Sequence, residues 1–112
     1  MRIEAAAQIH ERLLDNRRIH RQAEHELAVL LAELADRRLY AELGYASVFD
    51  YADRALDIPA RQARDLVRIG RHLPELPTLA AALAAGQLGW TKAREIVSVA
   101  TPETEEIGRA HV

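Results

Sequence analysis

The feature that most constrains the fold is the amino-terminal stretch of residues 2–38, which contains neither proline nor glycine. Its mostly apolar seam has alternating spacings of three and four residues, at Ala6, Ile9, Leu13, Asn16, His20, Ala23, Leu27, Leu30 and Leu34. This spacing predicts one long amphipathic helix, roughly 54 Å in length at 1.5 Å per residue. A domain of 112 residues cannot bury such a helix over its whole length.

The two halves of this helix differ in composition. The half that begins at Ala23 is rich in leucine, and we expect it to pack on the core. The first half then projects, pairs with another chain or packs on sequence outside this chain. Asn16 and His20 lie on the seam, where polar residues often fix the register of paired helices. Because the residues around them are polar on nearly all sides, we favour the simpler interpretation that the seam is exposed to solvent there.

A second stretch, residues 47–71, predicts two short helices joined by a tight turn. Ser47 followed by Asp50 is the pattern of a capping box, and apolar residues continue the first helix to about Leu56. The segment Asp57–Pro59 then breaks the helical pattern, because the residue before a proline disfavours the α region while proline suits the first turn of a new helix. Such a pair is typical of a helix-turn-helix unit. The positions of the second helix that face inward are Ala63, Leu66, Val67, Gly70 and Leu73.

An arginine stripe follows on this second helix, at Arg61, Arg64, Arg68 and Arg71. At about 100° per residue, the four guanidinium groups fall within an arc roughly 80° wide. Arginine binds phosphates and guanine edges bidentately, so these four residues are candidates for contact with double-stranded DNA. The alternative is a solvated helix face in a bundle that binds nothing. The chain carries a formal charge of −2, so only this local cluster favours DNA.

The remaining segments predict further short helices. Gly44 is predicted to be left-handed and to close the long helix, and a corner of two prolines leads to an alanine-rich helix that Gly86 ends. Gly89 caps a helix with Trp90 as core anchor and with Lys92 and Arg94 facing outward, which makes a second helix-turn-helix-like unit. A further helix starts at Thr101 and Pro102. We therefore predict an all-α fold with one long helix (1–38), an array of about five shorter helices (39–106) and a tail (107–112).

The sequence offers no set of residues for catalysis. It has no cysteine, and no pair of its five histidines has the spacing of a zinc site with a third ligand nearby. It has no glycine-rich phosphate loop after a strand. It also has no serine with the histidine and carboxylate that would activate it as a nucleophile. We expect no enzyme activity, cofactor, metal site or small-molecule substrate in this chain. No apolar run is long enough to span a membrane, so we expect a cytoplasmic protein.

The motifs from Leu39 to Glu105 resemble a family of bacterial proteins as a set. They are G-Y-x-S at Gly44, R-x-A-R at Arg61, an L-P-x-L corner, and G-x-L-x-W-x-K-A-R-E from Gly86 to Glu95. The run resembles the helical domain of unknown function that precedes an HNH nuclease module. The resemblance implies a parent endonuclease that cleaves DNA with a divalent metal. This chain has no HNH module, so no catalytic or metal residue is transferred, and Arg61, Arg64, Arg68 and Arg71 remain as DNA-binding candidates.

The carboxyl terminus differs in character from the segment before it. The residues Ile107–Val112 resemble one translated reading frame of a common sequencing-library adapter. We therefore expect a truncated fragment whose native sequence continues past Glu106. Its predicted function is to bind or position DNA for the missing nuclease. The alternative is a helical scaffold that forms a homo-oligomer through the long helix or docks the nuclease module.

Overall fold

A computed structural model describes the backbone of residues 2–99 and the side chains of residues 3–89 and 91–97. Within these ranges the chain is all α, as predicted, and contains no strand. The five α-helices are α1 (Arg2–Asp36), α2 (Val48–Leu56), α3 (Ala60–His72), α4 (Pro77–Ala84) and α5 (Trp90–Val99). Two short 3₁₀ turns lie at Leu39–Ala41 and Leu73–Glu75. The helix predicted at Thr101, the Trp90 side chain and the tail 107–112 lie outside the described residues.

The long helix α1 ends at Asp36, two residues earlier than predicted. Its first left-handed residue is Arg38, with φ of 54°, and not Gly44. A 3₁₀ turn follows, and Gly44 is left-handed as predicted, with φ of 88°. The Gly44 amide donates to the Ala41 carbonyl at 3.1 Å, so this glycine ends the 3₁₀ segment and not the long helix. Two left-handed residues, Arg38 and Gly44, thus turn the chain toward α2.

Side-chain capping sets the start of α2. The Ser47 hydroxyl accepts a hydrogen bond from the Asp50 amide at 3.0 Å, as the capping box predicts. The Asp50 carboxylate accepts from the Ala46 amide at 3.2 Å, one residue before the partner that a capping box would use. At the other end Asp57 is left-handed, and α3 begins at Ala60 after a short turn. Pro59 therefore occupies the capping position and not the first turn of α3.

The core lies between the carboxyl half of α1 and the four shorter helices. Every side chain from residue 3 to residue 20 is exposed, and burial begins in the next turns of α1. Of the five residues predicted to face inward, Ala63, Leu66 and Val67 of α3 are buried, Leu73 is buried in the 3₁₀ turn that follows, and Gly70 is half-buried. Ile69 is buried although it was not predicted to be. The buried apolar residues include Ala28, Leu31, Ala32, Val48, Ala52, Ala63, Leu66, Val67, Ile69, Leu73, Leu76, Leu79, Leu83, Ala93 and Val97.

The helices α1 and α3 cross at Gly70 with almost no space between them. A Cβ atom on Gly70 would lie 2.7 Å from the Cβ of Ala32 and 2.9 Å from the carbonyl carbon of Ala28. Both alanines are buried, and larger side chains at any of these positions would separate the two backbones. Small residues at this crossing therefore fix α3 on α1, with its opposite face toward solvent.

The end of α4 packs on α1 through a second glycine. Gly86 has φ of 75°, its amide donates to Leu83, and the Gln87 amide donates to Ala82. This pattern is a Schellman motif and confirms the predicted helix end. A Cβ on Gly86 would lie 2.7 Å from the carbonyl oxygen of Arg18. Contacts of α1 with the array thus begin about a turn before Ala23, which is earlier than the sequence indicated.

Candidate nucleic-acid interface

The four predicted arginines lie on the exposed face of α3. Arg61, Arg64, Arg68 and Arg71 are all exposed, while the buried residues of α3 point to the opposite side. This orientation follows from the helical period, because the buried positions recur at spacings of three and four and leave the stripe about half a turn away. The structure therefore brings all four predicted residues together on one surface.

Three of these arginines contact neighbouring helices or their own. Arg71 Nε donates to Asp36 Oδ1, at the end of α1, over 2.8 Å. Arg68 lies 3.7 Å from Asp65 on the same helix, and the guanidinium of Arg64 stacks 5.6 Å from the ring centroid of Phe49 in α2. The contacts hold the arginine side chains close to the surface, and they join α3 to both α1 and α2.

The surface of α3 remains net positive even with these ion pairs in place. Arg94 of α5 lies 3.7 Å from Asp65, so it belongs to the same cluster. Five arginines then face two carboxylates, those of Asp36 and Asp65. The Arg71–Asp36 pair is about half exposed on both sides, at 52% and 55%. Exposed ion pairs contribute roughly 0–1 kcal/mol, so the Arg71–Asp36 pair adds little to the stability of the fold.

The tyrosines near α2 pack on each other. The rings of Tyr45 and Tyr51 meet edge to face with centroids 5.2 Å apart, and the Arg54 guanidinium lies 5.4 Å from the Tyr45 centroid. Both tyrosines are half-buried, as is Tyr40. These contacts make the three tyrosines packing residues at the edge of the core.

A second basic site, a recess between α1 and α5, is not predicted from the sequence. It has a volume of about 240 Å³, and Arg17 and Arg21 of α1 and Lys92 of α5 line it together with Glu24. The Arg21 Nε atom is buried there and has no hydrogen-bond partner among the described groups. Arg17 and Arg21 are one helical turn apart, which was a visible signal, but Lys92 is distant in sequence. Only the docking of α5 brings the three cations together.

The histidines and carboxylates, which could bind a metal or transfer protons, are otherwise dispersed over the described residues. His20 lies 2.8 Å from Glu24, and His72 lies 3.9 Å from Glu75, both on the surface. No group of three metal-binding side chains occurs in the described part of the chain. Within residues 2–99, no helix combines the length and the apolar character that crossing a bilayer requires.

The fold and this surface define a class: an all-α domain in which a long helix carries an array of short helices with one basic face. The chain belongs to the family described as Domain of unknown function (DUF222), whose model matches residues 7–110. The matched range includes α2 to α5 and nearly all of α1, and it ends inside the tail 107–112. No curated protein and no solved structure matches the chain significantly.

Proposed function

We propose that this chain is the non-catalytic amino-terminal region of a bacterial HNH endonuclease-like protein, and that α3 binds and positions double-stranded DNA. The observation that supports this most is the placement of Arg61, Arg64, Arg68 and Arg71 on one exposed face, opposite the buried face of α3. The resemblance of the motifs to domains that precede HNH modules supports the nuclease context. The metal-dependent cleavage would be supplied by a module outside this chain.

The contact with DNA is proposed to be electrostatic and directed at phosphates. Arginine holds a phosphate with two parallel N–H groups, and α3 presents four arginines over about three helical turns. On binding, the phosphates take the place of Asp36 and Asp65 as partners of Arg71 and Arg68. The whole chain is slightly acidic, so the affinity should be modest and should fall steeply with salt.

The test is fluorescence anisotropy of a labelled duplex across a salt series. Replacement of Arg61, Arg64, Arg68 and Arg71 by alanine should weaken binding, and the slope of log K against log salt should fall by about 0.9 for each phosphate that is no longer bound. Replacement of the four by lysine should keep most of the slope while affinity decreases, because the charge stays and the bidentate geometry does not.

A charge-matched control removes arginines elsewhere. The double variant Arg18→Ala with Arg37→Ala changes the net charge as much as Arg61→Ala with Arg64→Ala, but both residues are exposed and lie outside α3. Equal losses from the two double variants would mean that net charge alone attracts DNA. The absence of duplex binding by the unaltered chain at low salt would overturn the proposal.

A second candidate function is a scaffold that associates with itself through α1. The observation that favours it is the exposure of large apolar side chains on the amino half of α1, including Ile9, Leu13 and Ile19 at 59–60%. Light scattering after size exclusion measures the mass in solution. The substitution Leu13→Glu should shift a dimer to monomer without unfolding the array, because Leu13 is exposed within a single chain.

A further inference from the structure

An open apolar groove runs along the carboxyl half of α1. It has a volume of about 410 Å³, and Leu27, Leu30 and Leu34 of α1 form one wall while Tyr51 and Leu56 of α2 form the other. Leu30 and Leu56 are both exposed, at 53% and 39%. A groove of this kind, between two helices and lined by leucines, fits the apolar ridge of a third helix.

The amino half of α1 carries such a ridge on the same seam. Ile9 and Leu13 occupy it, and each is 59% exposed. From Ile9 to Leu34 the seam positions follow spacings of 4, 3, 4, 3, 4, 3 and 4, which read the same from either end. Two antiparallel copies of α1 that cross between Arg21 and Gln22 therefore place seam residue on seam residue. The opposed pairs are Ile9 with Leu34, Leu13 with Leu30, Asn16 with Leu27, and His20 with Ala23.

The charges of α1 favour the same orientation. Residues 2–21 contain five arginines against three carboxylates, whereas residues 22–36 contain four carboxylates and no lysine or arginine. An antiparallel pair sets the positive half of each helix against the negative half of the other, and a parallel pair sets like against like. Arg12 and Glu33 each come directly before a seam residue, which is the g position of a heptad. In an antiparallel coiled coil the g positions of the two helices face each other, so Arg12 lies next to Glu33 of the second copy.

We propose that α1 pairs with α1 of a second copy of this chain in antiparallel register, with Leu13 opposite Leu30 and Ile9 inserted in the leucine groove. The inference rests on the self-association suggested above as the second candidate function. The seam of the pair extends from Ile9 to Leu34, about 38 Å of helix at 1.5 Å per residue. Asn16 and His20 occupy its central layers, where they weaken the pair but disfavour shifted registers.

Single cysteines test the register directly, because the chain contains none. Leu13→Cys and Leu30→Cys are prepared separately, mixed, and oxidised mildly. The antiparallel pair should give the mixed disulfide between the two variants. It should give no disulfide within the Leu13→Cys sample, because the two sulfurs would be about 17 residues, or roughly 26 Å, apart along the helix axis.

A parallel pair would give the opposite result. The Leu13→Cys sample alone would then cross-link efficiently. The mixed disulfide would not form, because position 13 of one copy and position 30 of the other would lie about 17 residues, or roughly 26 Å, apart along the axis. That outcome, with a dimer shown by light scattering, would overturn the antiparallel register and leave self-association intact. A chain that stays monomeric at all concentrations would overturn self-association too, and would leave the groove to a different partner.

A charge exchange provides an independent measurement. Arg12→Glu and Glu33→Arg should each weaken the dimer several-fold, since each creates two like-charge contacts in a symmetric pair. The chain with both substitutions should regain the original dimer affinity, because the exchanged charges attract again. Equal dimer affinity for the unaltered chain and the two single variants would contradict the placement of Arg12 beside Glu33. None of these residues belongs to the arginine stripe of α3, so DNA binding can be measured separately.

Discussion

Replacement of Gly70 by alanine tests how closely α1 and α3 pack. The added methyl group would lie 2.7 Å from the Cβ of Ala32 and 2.9 Å from the carbonyl carbon of Ala28. The carbonyl belongs to the backbone of a long helix, so no side-chain rotation can relieve the contact. The two helices would have to move apart, and the buried leucines beside them would lose part of their packing.

Two opposing terms set the size of this effect. Overpacking of a closely packed site costs about 1–3 kcal/mol, and sometimes more. Alanine is favoured over glycine inside a helix by about 0.8–1.0 kcal/mol, which offsets part of this cost. Because the contact is with backbone as well as with Ala32, we expect the upper part of the range. The net loss of unfolding free energy for Gly70→Ala is then about 1–2 kcal/mol.

The measurement is urea unfolding followed by circular dichroism at fixed protein concentration, since association also stabilises. Ala81→Gly on the exposed face of α4 calibrates the intrinsic alanine preference within the same chain. The double substitution Gly70→Ala with Ala32→Gly removes the contact with the Ala32 Cβ, keeps those with the oxygen and carbon of the Ala28 carbonyl, and should recover part of the loss. Equal or higher stability for Gly70→Ala would refute the close crossing of α1 and α3.

Three further changes test other parts of the fold. Ser47→Ala should cost about 0.5–2 kcal/mol by chemical unfolding, because the Asp50 amide loses its cap, whereas Ser47→Asp should stay near the original stability. Gly86→Ala should cost about 2 kcal/mol or more in the same assay, since φ is positive and Arg18 leaves no space. Asp36→Asn should change stability by less than about 1 kcal/mol but tighten duplex binding measured by anisotropy, because Arg71 loses its intramolecular partner. An unchanged affinity would argue against Arg71 as a DNA contact.

Local signals in the sequence predicted the helices well. The start of α2 follows from Ser47 and Asp50, and the end of α4 follows from Gly86, because each depends on bonds between residues less than six positions apart. The arginine stripe was also predictable, since the helical period alone places its four members on one face. These features need no knowledge of which helix packs on which.

Tertiary contacts account for what the sequence did not predict. The Arg71–Asp36 pair joins residues 35 positions apart, and the basic recess joins Arg17 and Arg21 to Lys92. Neither follows from spacing, because both depend on how α3 and α5 dock on α1. The same holds for the role of Gly70, which the helical pattern marked only as inward-facing.

The overhanging half of α1 links association to local folding. A helix segment of some 15 residues without tertiary contacts is marginal in water. The side chains from residue 3 to residue 16 are all exposed in the single chain, so the hydrogen bonds of this segment gain little from packing. Its amide protons should exchange quickly in the monomer and slowly in a pair. Hydrogen exchange as a function of protein concentration would therefore read out the assembly state from the backbone of one helix.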